Sequence, residues 1–200
     1  MAISYPISFP TINNKSIIQK MTMRLVHSVA MTESPYTYKQ QTHDFGGSRW
    51  EAEITIRPLT ESEGKEFSAF LAALKGRKGT FTVGNPLHTA TTPSDIDTSS
   101  AKNKGSTNIV LDNVSATPLT AGDHFSINNK LYMALETVAG SSTSTTIDIT
   151  PPLREDVSGG TSAITDNPVG IWRLTDNEIE WDISRSAHYS FTIACVEALT

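Results

Sequence analysis

From Arg49 to Arg57 the chain reads RWEAEITIR, and every second side chain is apolar. In an extended chain Trp50, Ala52, Ile54 and Ile56 share one side, while Glu51, Glu53, Thr55 and Arg57 share the other. Such a segment is a half-buried strand and demands a sheet with a core on one face. Pro58 ends it by removing a ladder donor. Directly afterwards comes the one stretch with helical periodicity, LTESEGKEFSAFLAALKG. Thr60 stands as N-cap, with Glu63 three residues on as its capping-box partner. Glu61 and Glu63 suit the positive end of the helix dipole, Lys75 the negative end, and Gly76 the left-handed stop. Phe67, Phe70, Leu71 and Leu74 form a single stripe over an expected helix 61–75. A helix of about fifteen residues is marginal alone in water. Burying four large side chains is worth roughly 6–12 kcal/mol, at about 1.5–3 kcal/mol each. The helix therefore needs an apolar surface, and the nearest is the face carrying Trp50, Ile54 and Ile56.

The remaining chain is written almost entirely in strands and turns. Residues 1–15 are punctuated by Pro and Asn and suggest an arm or edge segment. Ile17, Met21, Met23 and Leu25 alternate with Lys20, Thr22 and Arg24, as in a half-buried strand. SPYTYKQQTHDFGGS suggests a loop with a turn at Gly46-Gly47, and TFTVGNP returns as a strand through Phe81 and Val83. LHTATTPSDIDTSSAKNKGSTN is polar and suggests a long linker. NIVLDNV is a strand. LTAGDHFSINNKLYMALETV is a hairpin in which Asn128-Asn129 supplies the positive φ values of a primed turn and Leu131, Met133 and Leu135 alternate. Ile147 and Ile149 mark another short strand before Pro151-Pro152. NEIEWDISRS mirrors RWEAEITIR, with Ile179, Trp181 and Ile183 expected inward and Glu178, Glu180 and Asp182 outward. In the last strand Tyr189, Phe191, Ile193 and Cys195 are the expected core face. The simplest organisation is mainly β. A β-sandwich with one packed helix, from residues 1–86 and 172–200, is interrupted by an inserted small β-barrel over 87–171.

Composition narrows the function classes. The 200 residues carry a net charge of −5, which argues against a nucleic-acid binder, whose lysines and arginines must replace phosphate counterions. No stretch approaches the roughly 18 apolar residues of a membrane span, and the first residues lack a secretory pattern. The single cysteine, Cys195, excludes an intrachain disulfide. Synthesis and folding in a cytoplasm are expected.

Chemistry-bearing constellations are scarce. His27, His43, His88, His124 and His188 share no ligand spacing, and solvated histidines explain them better than a metal site. His43-Asp44 and Asp123-His124 are adjacent, so in strands their side chains diverge. No nucleophile elbow or phosphate loop occurs, and the basic GRKG turn after the helix is most simply solvated. Glu178, Glu180 and Asp182 line one strand face, and paired carboxylates serve glycoside hydrolysis, but a wet strand face accounts for them. Cys195 has no basic neighbour to activate it and fits a buried inert thiol. Tyr132, Trp172, Tyr36 and Tyr38 could build a sugar-stacking platform, so carbohydrate binding through the insert is the alternative function; Trp172 equally suits a core position. No catalytic, cofactor-binding or metal-binding residue is assigned.

The order of parts carries a resemblance. An alternating strand, GSRW-x-x-x-I-x-I-x-P-L leading into a lone helix, TFTVGNP, an insert with AGDHFSINNKLYMAL and PPLRED, and a last strand ending in VEAL follow one another. This is similar to distal tail proteins of long-tailed (T5-like) bacteriophages. The resemblance implies a non-enzymatic virion protein whose sandwich domains build a closed ring, usually a hexamer. The ring joins the tail tube protein to tip or baseplate hub proteins, and an outward barrel resembles an oligonucleotide/oligosaccharide-binding fold. It implies no cofactor, no specific nucleic acid and no membrane insertion, with possible host glycans at the insert. Location at the virion tail tip follows from it, and so does the expectation that the helix lies near the neighbouring subunit.

Overall fold

A computed structural model describes residues 3–86, 96–112, 119–138, 144–183 and 188–199. The chain is mainly β with one α-helix. Its first part contains β1 (Ile7–Ser8), β2 (Thr11–Ile12), β3 (Lys15–Ser16), β4 (Ile18–Glu33) and β5 (Gln40–Ile56). Helix α1 (Glu61–Leu74), a 3-10 turn (Gly76–Lys78) and β6 (Phe81–Gly84) follow. The middle holds β7 (Ile96–Thr98), β8 (Asn108–Asp112), β9 (His124–Ile127), β10 (Lys130–Ala134), β11 (Ser144–Thr150) and β12 (Ser162–Ala163). The last part holds β13 (Val169–Leu174), β14 (Asp182–Ile183), β15 (Tyr189–Ser190) and β16 (Thr192–Glu197).

The first six-stranded sheet runs β1-β6-β13-β16-β5-β4. Both ends of the chain enter it: β1 pairs in parallel with β6, and β16 lies between β13 and β5. Residues 1–15 are therefore partly tied down at Ile7 and Ser8, and Tyr5 donates its hydroxyl hydrogen to the Ala73 carbonyl of the helix (2.6 Å). The alternation of β5 is realised as written: Trp50, Ala52, Ile54 and Ile56 are all buried. Across from them Met21, Met23 and Leu25 of β4 are half-buried against the same core.

The loop expected over 34–48 is a correction. β4 and β5 form one long ribbon whose turn is confined to Ser34–Lys39, closed by the Ser34 N–H on the Lys39 carbonyl (3.0 Å). Gly46 and Gly47 lie inside β5, where the register shifts between His27 and Val29 on the facing strand. A glycine pair serves a tight turn or a bulge equally well. Here Gly46 has φ +70° and donates its N–H to Asp44 Oδ1 (2.8 Å), so the pair marks a bulge.

Helix α1 begins where its cap predicts. The Thr60 N–H donates to the Glu63 carboxylate (2.9 Å), and Arg57 holds the other Glu63 oxygen (2.9 Å). The stop uses two left-handed residues, Lys75 (φ 54°) and Gly76 (φ 63°), rather than Gly76 alone. Phe67, Phe70, Leu71 and Leu74 are buried. Phe67 meets Phe191 at 4.7 Å between ring centres, and Phe9 of the N-terminal segment packs on Phe67 and Phe70. Gly64 sits where a Cβ would stand 2.4 Å from the Tyr189 ring, so the first helical turn can approach that ring only without a side chain.

The second sheet runs β12-β7-β8-β11-β10-β9. Its two ends nearly close into a barrel, because Ser126 and Ile164 exchange both backbone hydrogen bonds at 2.8 Å. Ile96, Ile109, Leu111, Phe125, Tyr132 and Ile147 fill it. The expected linker is corrected in part: 87–95 lie outside the described residues, but Ile96–Thr98 is a strand with Ile96 fully buried. The Asn128-Asn129 turn has the positive φ values anticipated, 50° and 60°. Of the three alternating residues after it, Leu135 is instead 52% exposed, because β10 ends one residue earlier. Strand β10 is buried on both faces. Tyr132 and Ala134 belong to the barrel core, while Leu131 and Met133 face the core under the first sheet. At Gly170 of β13 a Cβ would stand 3.3 Å from Leu131 Cβ, so the absent side chain lets β10 press on the first sheet. The boundary expected after residue 171 falls inside β13, whose Val169 already pairs with Gly84.

The mirrored segment 178–183 is a further correction. It does not enter the first sheet, whose position beside β5 is taken by β16. Only Asp182 and Ile183 pair, with Tyr189 and Ser190. Ile179 is half-buried, but Trp181 is 42% and Ile183 61% exposed. Trp181 meets Phe191 at 6.3 Å, at the rim of the core that also contains Trp50.

Candidate functional site

The candidate residues do not converge. His27, His43 and His188 are exposed, His43 stacks edge-on against Phe45 (4.7 Å), and His124 lies over Trp50 (5.6 Å). His88 lies outside the described residues. Among the described residues no group of three or more His, Cys, Asp or Glu side chains is placed to hold a metal ion, and no helix is long and apolar enough to cross a bilayer. Asp123 caps its own turn, accepting from the Thr120 N–H and hydroxyl (2.8 and 2.7 Å). Glu178 and Glu180 line an open groove of about 880 Å3 with Glu53 and Asp176; Asp182 lies outside it. All three carboxylates named in the sequence are exposed.

Two of the four aromatic candidates are core residues. Trp172 is 1% exposed and donates its Nε1–H to the Val83 carbonyl (2.9 Å). Tyr132 is fully buried, and burial pushes its hydroxyl up to about 12. Neither can stack on a sugar. Tyr36 and Tyr38 are well exposed at the turn of the β4–β5 ribbon and belong to neither core. Cys195 is 1% exposed; burial raises its thiol to about 12, and the Ala52 carbonyl accepts its S–H (3.4 Å).

Two other features stand out. The first is the seam between the two sheets. Arg154, just after β11, makes a double ion pair with Glu197 of β16 (2.9 and 2.6 Å) and also donates to the Ser48 carbonyl (2.7 Å). Glu197 accepts the Trp50 N–H (3.0 Å), and Trp50 donates its Nε1–H to the Leu131 carbonyl (3.1 Å). The Arg154 N–H donates to the Tyr132 hydroxyl (3.1 Å). The two charged side chains are only 13% and 5% exposed. Burying such a pair gains little net stability, but removing one partner strands a buried charge. Sequence inspection passes over this pair although it leaves a trace. In the last strand Ile193, Cys195 and Glu197 are in phase, so an acid stands where alternation calls for an apolar side chain.

The second feature is the outer half of the ribbon. Residues 26–33 and 40–47 are all exposed, and Val29, Met31 and Phe45 are 53%, 61% and 63% exposed. β4 is also the open edge of its sheet. Long edges with apolar side chains are places where another chain can add.

No protein-family model and no curated protein sequence matches this chain.

Proposed function

We propose that this chain is a non-enzymatic structural protein of a phage tail tip, a distal tail protein that forms a closed ring, usually six copies, between tail tube and tip or baseplate. The order of parts supports this reading, as set out from the sequence. The observation that carries it is the outer ribbon: a long sheet edge whose Val29, Met31 and Phe45 are left exposed by the described residues. A ring of identical copies covers such an edge by heterologous contacts that close. In this reading residues 1–86 and 169–200 form the ring-building domain, with β13 entire in its sheet, a sandwich whose second layer is reduced to α1 and the short ribbons β2–β3 and β14–β15. The segment between them, expected over 87–171 and ending before β13, forms the projecting barrel, read as oligonucleotide/oligosaccharide-binding-like. The surface acidity behind the net charge of −5 suits a channel through which DNA slides without adhering. The partners are further copies, the tube protein and the tip hub, with no cofactor, no specific nucleic acid and no membrane insertion.

The test is negative-stain microscopy of the purified protein, alone and with its tube partner, together with light scattering. Closed rings are expected. A protein that stays monomeric at all concentrations and never joins tail particles overturns the reading. Glycan binding by the barrel through Tyr132 or Trp172 is not carried forward, because both rings are enclosed.

A further inference from the structure

Strand β16 lies inside the first sheet, yet only part of it has a neighbour on both sides. Towards β5 it is paired from Thr192 to Val196. Towards β13 the ladder covers Cys195 to Glu197, and its last bond runs from the Thr175 N–H to the Ala194 carbonyl (3.0 Å). In an antiparallel strand alternate residues turn both backbone groups to the same neighbour. Ala194 and Ala198 turn theirs to the β13 side, and Thr192 is in phase with them. The N–H and C=O of Thr192 and the N–H of Ala194 therefore point into the space that β13 vacates, and no described residue bonds them.

The chain's own continuation cannot fill that space. Trp172 and Leu174 are the buried phase of β13, and the same phase carried onward would bury the carboxylates of Asp176, Glu178 and Glu180. The segment is drawn instead to the end of the helix, where Asn177 Oδ1 accepts the Arg77 N–H (3.1 Å). Gly76 makes room there, since a Cβ on it would stand 2.8 Å from Asn177 Cα. Between 176–180 and β16 remains the open groove of about 880 Å3, inside the range of roughly 300–1,000 Å3 for binding clefts. Leu71, Leu174 and Ile193 give it an apolar part. Its charged lining is Glu53, Asp176, Glu178 and Glu180, with no lysine or arginine. Glu178 and Glu180 make no ion pair among the described residues.

We propose that this groove takes an extended, lysine- or arginine-bearing segment of another protein, which adds as a strand beside Thr192 and Ala194. The segment's main chain bonds the open backbone groups, its apolar side chains meet Leu71 and Ile193, and its cations meet Glu178 and Glu180. A lining of acids alone selects a cationic occupant over a neutral or acidic one. The proposal stands independently of the tail-tip reading, whose exposed edge is β4.

The experiment follows backbone amide exchange of the full chain by NMR, with and without a short blocked peptide alternating lysine and valine. In the free chain the Thr192 and Ala194 amides should exchange about tenfold or more faster than that of Ile193, which is turned to β5. Saturating peptide should slow both by about tenfold or more and leave Ile193 unchanged. A peptide with glutamate for lysine, and one N-methylated at alternate residues so that it cannot pair, should do neither. Thr192 and Ala194 as protected as Ile193 in the free chain, or unaffected by the lysine peptide, overturn the proposal. Equal protection by the N-methylated or the glutamate peptide overturns it too, as does protection that rises with protein concentration alone, which would give the groove to a second copy. Glu178 and Glu180 are exposed, so a Glu178→Gln, Glu180→Gln double variant keeps the fold. Its calorimetric titration should show affinity for the lysine peptide weakened by about tenfold, and unchanged affinity also overturns the proposal.

Discussion

The β4–β5 ribbon is one hydrogen-bonded ladder with two different halves. In the inner half, Met21, Met23 and Leu25 face Ile54, Ala52 and Trp50, and the side chains on one face share the core with the helix. In the outer half the ladder continues from Val29–Asp44 to Glu33–Gln40, but every residue is exposed. Backbone pairing is therefore the same in both halves, and burial is not. An isolated two-stranded ribbon is marginal in water. The outer half persists because it extends a ladder anchored by Trp50, Ile54 and Ile56. Its shape comes at no benefit to the monomer's core, and its apolar side chains remain for another surface.

Four measurements probe that contrast, from the largest effect to the smallest. Phe67→Ala empties the site beneath the inner half and should cost about 3–5 kcal/mol in denaturant unfolding. A loss well under 1 kcal/mol would mean that the helix is not what holds the inner half. Arg154→Met removes one member of the pair gripping Ser48 and Trp50, where burial gives way to exposure along β5. It should cost about 3–5 kcal/mol, and adding Glu197→Leu should restore most of it. If the double variant is no better than the single, the stranded charge is not the cause.

Glu63 gives a pH signature at the end of the inner half. The Arg57 side chain, first, and the Thr60 N–H, second, hold its carboxyl down at about 2, against an ordinary 4.5. A carboxyl lowered in the folded state contributes stability that is complete above pH 4.5 and disappears as pH falls towards 2. The melting temperature should therefore drop more steeply over that window in the natural protein than in Glu63→Gln. Parallel curves would remove the contact from the stability of this end. The smallest change belongs to the outer half. Val29→Ser, Met31→Ser and Phe45→Ser should each alter monomer stability by less than about 0.5 kcal/mol. The same changes should reduce self-association seen by light scattering. Destabilisation on the scale of Phe67→Ala would erase the distinction between the halves.

The inner half and the helix were legible because period two in 50–56 and period 3.6 in 67–74 both report one large core. The same logic failed over 178–183, where identical alternation sits on a flank: period two records that a strand has two faces, not that a sheet has room for it. Gly46-Gly47 was misread for a related reason. A local glycine pair fits a bulge as well as a turn, and only the partner strand decides which. The strand at Ile96 was hidden because a single buried isoleucine among Ser, Thr and Asp gives no periodicity. At the seam, Arg154 and Glu197 are distant in sequence, and only the misplaced acid at 197 hints at a partner.

Strand β10 has a consequence for how such a chain can be rearranged by recombination. Leu131 comes from the middle of the chain, yet it plugs the hydrophobic interior built by the two termini. A deletion that excised the barrel and rejoined Gly84 to Val169 would bring paired neighbours together and still leave a hollow where that leucine had been. Swapping barrels between relatives would then succeed only if the incoming piece carried its own plug in the same place.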